Sequence, residues 1–324
     1  MNKIQIKKIL WDQDKHNSRL EINLKGLDID NVIVNTIRRT ALTSIPIYAF
    51  TDIKITDNTS IFNNNYLKLR LKNFPALGIK SKEPIFLSND NTVLNNEIDI
   101  ENNDELELNI DNDDKINVSS INQLTMYVDY ENNTDEIVNV GTDNCKFYVK
   151  EKQIDTPYLV NIPLVKLQAK QKIKLSAVTE LGTEESSAIF SPVSIFTFKQ
   201  NDDNNYDLIL ESKGQLDELT ILDFAIQNIQ NNIDIIISKI PELETLKGKF
   251  ILENIDHTLG CILAKGLQKE NDVIFAGYSM PHPLDDKIVL QYELSKNNIT
   301  NLIIKVLNNY KNIFNNLNEK IQSL

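Results

Sequence analysis

The sequence predicts an α+β fold whose plan is laid out twice along one chain. Segments with a period of two open both the first twenty-five residues and the stretch after residue 247. Each is followed by a short helix with an apolar stripe, at about residues 31–45 and again from Thr258 to Lys269. Each half then ends in a long helix with one apolar face, because Leu219, Leu222, Ile226, Ile229, Ile233, Ile236 and Ile240 step by three and four, and so do Ile299, Leu302, Val306, Tyr310, Ile313, Leu317, Ile321 and Leu324.

Taken in order, "KIQIKKILW" and "RLEINLKG" alternate as two half-buried strands. Asp30 or Asn31 can cap the first helix, Ile33, Ile37 and Ala41 with Val34 and Leu42 form its stripe, and Pro46 stops it. Arg38 and Arg39 are expected to point away from that stripe. Residues 51–172 read as strand-rich and polar, with an Asn- and Asp-rich stretch at 88–120 whose alternating apolar positions allow edge strands or a mobile loop. Residues 172–198 predict two strands around a Gly-containing loop, and "YDLILES" a third before Gly214. After the linker "PELETLKG" come a strand at "GKFILEN", the second short helix, strands at "DVIFAGYSM" and "KIVLQYEL", and the final helix. A stripe of about eight large side chains forfeits on the order of 10–20 kcal/mol if left in water, more than the net stability of a typical domain. The two halves are therefore expected to pack on each other.

Composition narrows the function. With 41% apolar residues the chain can bury a proper core, and with a formal net charge of −12 and no basic run it is a poor partner for phosphate backbones, so direct nucleic-acid binding is not expected. Heavy use of Asn and Ile, and of Lys over Arg, is the bias of an AT-rich coding sequence. No stretch is apolar enough to span a membrane and no signal-peptide core is present, which predicts an intracellular, soluble protein. Two cysteines, Cys145 and Cys261, make neither a disulfide framework nor a C-x-x-C zinc knuckle. There is no G-x-S-x-G elbow and no phosphate-binding G-x-x-x-x-G-K-[ST] loop.

Certain motifs are more specific. "DHTLGCILAKGL" followed by "VIFAGYSMPHPLDDKIVLQYE" resembles the eleventh-subunit family of eukaryotic RNA polymerase II and its archaeal L counterpart, over roughly residues 243–324. "NTIRRTALTSIPIYAF" is similar to the signature of the third subunit, archaeal D and bacterial alpha. "DNTSIFNNNYLKLRLKNFPAL", "VKLQAKQKIKLSAVTELGTEESSAIFSPVSIF" and "LESKGQLDELTILDFAIQNI" resemble later segments of the same proteins. The resemblance implies two alpha-like dimerisation modules fused in one chain as a pseudo-dimer with a shared helical interface. The first would comprise residues 1–50 and 173–240, an inserted mostly-β domain 51–172, and the second module 241–324. It implies a non-catalytic scaffold whose partners are the largest and second-largest polymerase subunits, with small tenth- and twelfth-subunit-like polypeptides. Such fusions are typical of nucleocytoplasmic large DNA viruses, which would place the protein in the virus factory of the host cytoplasm and in the virion. Departures from the pattern are Cys261 in place of the family's Asn, residues 186–189 in place of H-A-K-W, and a lone Cys145 where some members carry a metal-binding cysteine cluster.

The sequence also offers a competing site. His257 and Cys261 are spaced i, i+4, and His282 with Asp285 follows, so a small zinc-dependent hydrolase is one alternative; a stand-alone dimerisation module or transcription regulator is another. The favoured reading has no catalytic, metal or cofactor residues. It assigns Arg38, Arg39, Phe275, Tyr278, Pro281, His282, Pro283 and Leu284 to partner contacts, since bidentate guanidiniums and proline-flanked aromatics suit preorganised interfaces. It assigns Ile33, Ile37, Ala41, Leu222, Ile226, Ile229, Ile233, Leu259, Leu263, Leu302, Val306, Tyr310, Ile313 and Leu317 to the interface between the halves.

Overall fold

The computed structural model describes residues 4–14, 18–79, 123–150, 152–240, 245–253, 255–282, 287–296 and 298–324. The acidic stretch 88–120 and the candidate contacts Pro283 and Leu284 lie outside the described residues. In chain order the elements are β1 (Gln5–Gln13), β2 (Ser18–Lys25), α1 (Asn31–Thr43), β3 (Ile47–Asn58), α2 (Asn64–Lys72), β4 (Leu124–Glu131), β5 (Val138–Gly141), β6 (Cys145–Val149), β7 (Lys152–Ile154) and β8 (Pro163–Leu167). There follow β9 (Lys172–Gly182), β10 (Val193–Asp202), β11 (Asn205–Ser212), α3 (Glu218–Lys239), β12 (Lys247–Glu253), α4 (His257–Gln268), β13 (Val273–Ser279), β14 (Lys287–Leu294) and α5 (Ile299–Gln322). Two compact units result, one of Met1–Ile45, Val193–Ser212 and Leu216–Leu324, the other of Pro46–Pro192 and Lys213–Gln215.

The first unit holds two antiparallel sheets, of strand order β1-β2-β11-β10 and β12-β14-β13. Apart from β1 they have the same topology: a strand leads into a short helix, a hairpin returns with its second strand beside the first, and a long helix follows. Each helix starts on a side-chain cap that takes up free backbone N–H groups, from Asp30 and Asp256 on the short pair and Asp217 and Asn298 on the long pair. Aligned on these caps, most buried positions coincide. Ile33, Val34, Thr36, Ile37, Thr40 and Ala41 of α1 match Leu259, Gly260, Ile262, Leu263, Gly266 and Leu267 of α4, and all are buried. Ile221, Leu222, Ala225, Ile226, Ile229, Ile233 and Ile236 of α3 match Leu302, Ile303, Val306, Leu307, Tyr310, Phe314 and Leu317 of α5, again all buried. Buried faces of this width demand another helix on the far side as well as the sheet beneath.

The match is not complete: Thr258, Ala264, Thr300, Ile321 and Phe224 are buried where Val32, Arg38, Leu219, Ile240 and Lys305 are half-buried or exposed, and the largest change of chemistry comes at the start of the long helices. Ile299 opens α5, whereas the fully buried first residue of α3 is Glu218. Its carboxylate accepts from the Trp11 indole at 3.2 Å, from the Ser18 hydroxyl and from the Ser212 N–H, so the charge is hydrogen-bonded at a helix N-terminus and ties β1 and β2 to α3.

The second unit is built on a five-stranded sheet of order β3-β9-β4-β6-β7 with a two-stranded β5-β8 ribbon, and α2 packs on β3. Phe50, Leu67, Leu71, Leu124, Met126, Phe147 and Leu175 are among its core. Gln215 closes the edge of β3, accepting from Tyr48 N–H and donating to the carbonyls of Tyr48 and Ala76. Cys145 donates to the Gly141 carbonyl at 3.2 Å; burial, with help from Asp143, pushes its thiol from the ordinary value near 9 up to about 12. Because the fold favours the protonated thiol, that stabilisation is complete below pH 9 and is lost as pH rises towards 12. In a Cys261→Ser background, native Cys145 should react with iodoacetamide at pH 8 on the order of a hundredfold more slowly than in urea.

The stretch read as strand-rich also contains a helix. "YLKLRLK" alternates like a strand but lies in α2, because Asn63 caps Tyr66 N–H at 2.8 Å and Leu67 and Leu71, four apart, are both fully buried. β9 pairs along its length with β3 and β4, and the two compact units divide at 192/193. The two strands at 172–198 exist, yet β9 and β10 belong to different sheets.

Candidate functional site

The best-defined feature with functional content is the helical seam of the first unit, where α1 meets α4 and α3 meets α5. Both pairs run antiparallel. Along the long pair, Gln322 donates to Asp223 at 3.2 Å, Gln230 to Asn315 at 2.8 Å, and Lys311 to Asp234 at 2.6 Å, so ascending positions on α3 meet descending ones on α5. Along the short pair, Lys269 meets Asp30 at 3.0 Å at one end and Arg39 donates to Thr258 at 2.9 Å at the other. The two capping aspartates divide their oxygens alike. In Asp30 and in Asp256 Oδ1 accepts backbone N–H groups of the helix it starts, and Oδ2 faces a cation from the other half, Lys269 at 3.0 Å or Arg39 at 3.6 Å.

These polar contacts set register more than they supply stability. Half-exposed ion pairs contribute about 0–1 kcal/mol each, while a capping aspartate is worth about 1 kcal/mol. Arg39→Ala should therefore shift the urea midpoint by less than Asp256→Ala, which loses cap and ion partner together. Stability of the seam comes from its apolar layer, in which Ile226, Ile233, Leu263, Leu307, Phe314 and Leu317 are fully buried. Closeness comes from glycine. A Cβ at Gly266 would lie 2.3 Å from Val306 Cγ1 and 2.8 Å from Tyr310 Cε2, so α4 and α5 touch through that position; one at Gly260 would lie 2.8 Å from the Tyr278 ring, where α4 rests on its sheet.

Of the residues expected in the interface between halves, Ile33, Ile37, Ala41, Leu222, Ile226, Ile229, Ile233, Leu259, Leu263, Leu302, Val306, Tyr310 and Leu317 are buried in this unit, and Ile313 is half-buried. Ile303, Leu307 and Phe314 widen the buried face of α5 beyond the single stripe; each is one position from a stripe residue, which is the signal that marks them. Of the expected partner contacts, Arg39 turns to α4, and Arg38 is half-buried with its guanidinium held by Asn35 Oδ1 at 3.1 and 3.0 Å. Phe275 is exposed on β13, Tyr278 packs at Gly260, and Pro281 and His282 are exposed.

The alternative metal set is not assembled by the described atoms. The His257 ring meets Tyr278 edge-on with centroids 5.8 Å apart, and Cys261 is half-buried with its thiol pushed up by burial and then by Asp30. Among the described residues no group of three or more His, Cys, Asp or Glu side chains is placed to hold a metal ion; Asp285 lies outside them. No helix among the described residues is long and apolar enough to cross a membrane.

Two α/β sheets of like topology meet here through antiparallel helices, and sequence comparison gives the class of the second. Residues 247–320 match the family described as the RNA polymerase Rpb3/Rpb11 dimerisation domain. The chain is 35% identical over 75 residues to the DNA-directed RNA polymerase subunit Rpo11 of Saccharolobus solfataricus, which covers 22% of this chain and 80% of that protein. The chain thus belongs to the Rpb3/Rpb11 dimerisation family of RNA polymerase subunits. A relative of similar extent is a protein of Acanthamoeba polyphaga mimivirus named as DNA-directed RNA polymerase subunit R470, 26% identical over 300 residues, or 87% of this chain and 84% of that one. The RNA polymerase II subunit RPB11 of Caenorhabditis elegans is 46% identical over 48 residues, 15% of this chain, and the chain spans 39% of its length.

Proposed function

We propose that this one chain supplies both partners of the family's dimer, a fused pseudo-dimer that serves as the platform on which the two largest polymerase subunits assemble. It is a non-catalytic assembly subunit of a DNA-directed RNA polymerase. The observation that supports the fusion best is the shared burial register: the family match is confined to residues 247–320, yet α4 and α5 pack on helices α1 and α3, most of whose buried positions repeat theirs. Linking the halves replaces a bimolecular encounter by an intramolecular one at an effective concentration in the millimolar range.

In this reading the active site belongs to the large subunits. Residues 46–192 form a domain inserted between α1 and β10, where the second half has a short turn between α4 and β13. Arg38, Phe275, Pro281 and His282 face partners, the two largest subunits and small tenth- and twelfth-subunit-like chains. A relative in mimivirus over 87% of the chain supports a viral source, and with it a place in virus factories and virions.

Co-expression tests this. Tagged full-length protein should retain the two largest subunits of its polymerase through affinity purification and gel filtration, and Arg38→Glu should reduce their recovery without moving the urea midpoint. Folded protein that recovers neither subunit would overturn the assembly role. Co-expressed fragments 1–240 and 241–324 should elute as a one-to-one complex; independent elution would overturn the fusion of two dimer partners.

A further inference from the structure

The two sheets of the first unit differ in one strand. β2 leads into α1 and is covered on its outer side by β1 along its length, whereas β12, which leads into α4 and pairs with β14 as β2 pairs with β11, is the last strand of its sheet among the described residues. β12 runs seven residues without a bulge against β14, so its edge is straight. Leu294 N–H donates to the Leu246 carbonyl at 2.7 Å, which fixes the alternation: Lys247, Lys249, Ile251 and Glu253 direct their N–H and C=O groups away from β14. A row of backbone donors and acceptors in this arrangement is a template for another strand.

Side chains of β12 narrow the choice of occupant. Lys247, Lys249 and Ile251 share the outer face, Ile251 is 60% exposed, and Leu246 just before them is 50% exposed. Lys247 is already held across the sheet by Glu293 of β14 at 2.9 Å, so it is Lys249 that opposes pairing with a second copy of the same edge and favours carboxylates on an incoming strand, while Ile251 takes an apolar side chain across from it. We infer that the free edge of β12 receives, by strand addition, an extended segment of another polymerase subunit in which acidic and apolar residues alternate, so that the second sheet gains the strand that β1 already supplies to the first. The inference rests on the assembly reading above.

The test uses polymerase assembled with the full chain carrying p-benzoylphenylalanine in place of Ile251. Irradiation should crosslink this position to one extended acidic and apolar stretch of another subunit, identified by mass spectrometry. Lys249→Pro removes an outward N–H but no bond to β14, and Lys249→Glu leaves the backbone alone; each should lower crosslink yield, the former by on the order of tenfold, while the chain's urea midpoint and retention of the two largest subunits stay as in the unsubstituted protein. Assembled polymerase that gives no such crosslink, crosslinks confined to this chain or to a second copy, or yields unchanged by both substitutions would overturn the inference. Failure of the polymerase to assemble around the unsubstituted chain would instead count against the assembly role.

Discussion

Gly266→Leu should destabilise the first unit by about 3 kcal/mol or more, because the position has no room for any side chain. Its absent Cβ would already lie 2.3 Å from Val306 Cγ1, and the leucine's remaining carbons would have to enter the space of Val306 and Tyr310, both buried. Gly266→Ala separates two opposing effects. Alanine gains up to about 1 kcal/mol in helix propensity over glycine, yet the overlap with Val306 costs about 1–3 kcal/mol, so a net loss is expected. Val306→Ala in the Gly266→Ala background should return part of it, giving a double-mutant cycle with a favourable coupling, measured by urea denaturation. Additive losses would show that α4 and α5 do not meet through this glycine. Gly260→Ala should cost less, since the nearest atom, Tyr278 Cδ2, would lie 2.8 Å from the new Cβ rather than 2.3 Å and belongs to a half-buried ring.

Phe314→Ala should be among the most damaging truncations in the protein, at about 3–5 kcal/mol. The ring is fully buried on α5 at the position that matches Ile233 of α3, near the middle of their shared run. Ile313, beside it and half-buried, should cost about 1 kcal/mol when truncated. If the seam joins the halves, the same substitution should weaken association of fragments 1–240 and 241–324 by at least about a hundredfold, since each 1.4 kcal/mol is a factor of ten. Equal losses for Phe314→Ala and Ile313→Ala would refute the placement of the buried face.

Much of this was legible in the sequence. The long helices stood out because aliphatic residues at threes and fours over six turns have few other solutions, and the caps Asp30 and Asp256 were visible as short polar residues ahead of those runs. Helix α2 was not legible, since leucines two apart mimic a strand until tertiary burial selects Leu67 and Leu71 over Leu69, which stays 63% exposed. Arg39 could not be placed either: an arginine at the margin of an apolar stripe reads as outward-facing, and only the arrival of α4, more than two hundred residues later, gives it Thr258 and Asp256. The tempting His257 and Cys261 pair showed the same limit, because spacing along a helix cannot reveal that the ring rests against Tyr278.

The seam joins distant parts of the chain, with 239 positions between Asp30 and Lys269 and 219 between Arg39 and Thr258. At roughly 5–20 residues per second, about five to fifteen seconds of synthesis separate the end of α3 from the end of α5. Throughout that interval the nascent first half carries the exposed faces of two finished helices and nothing to cover them. A cell making this protein must therefore shield an unfinished chain, and the ribosome's pace over the eighty or so codons between the end of α3 and the end of α5 sets how long that shielding lasts.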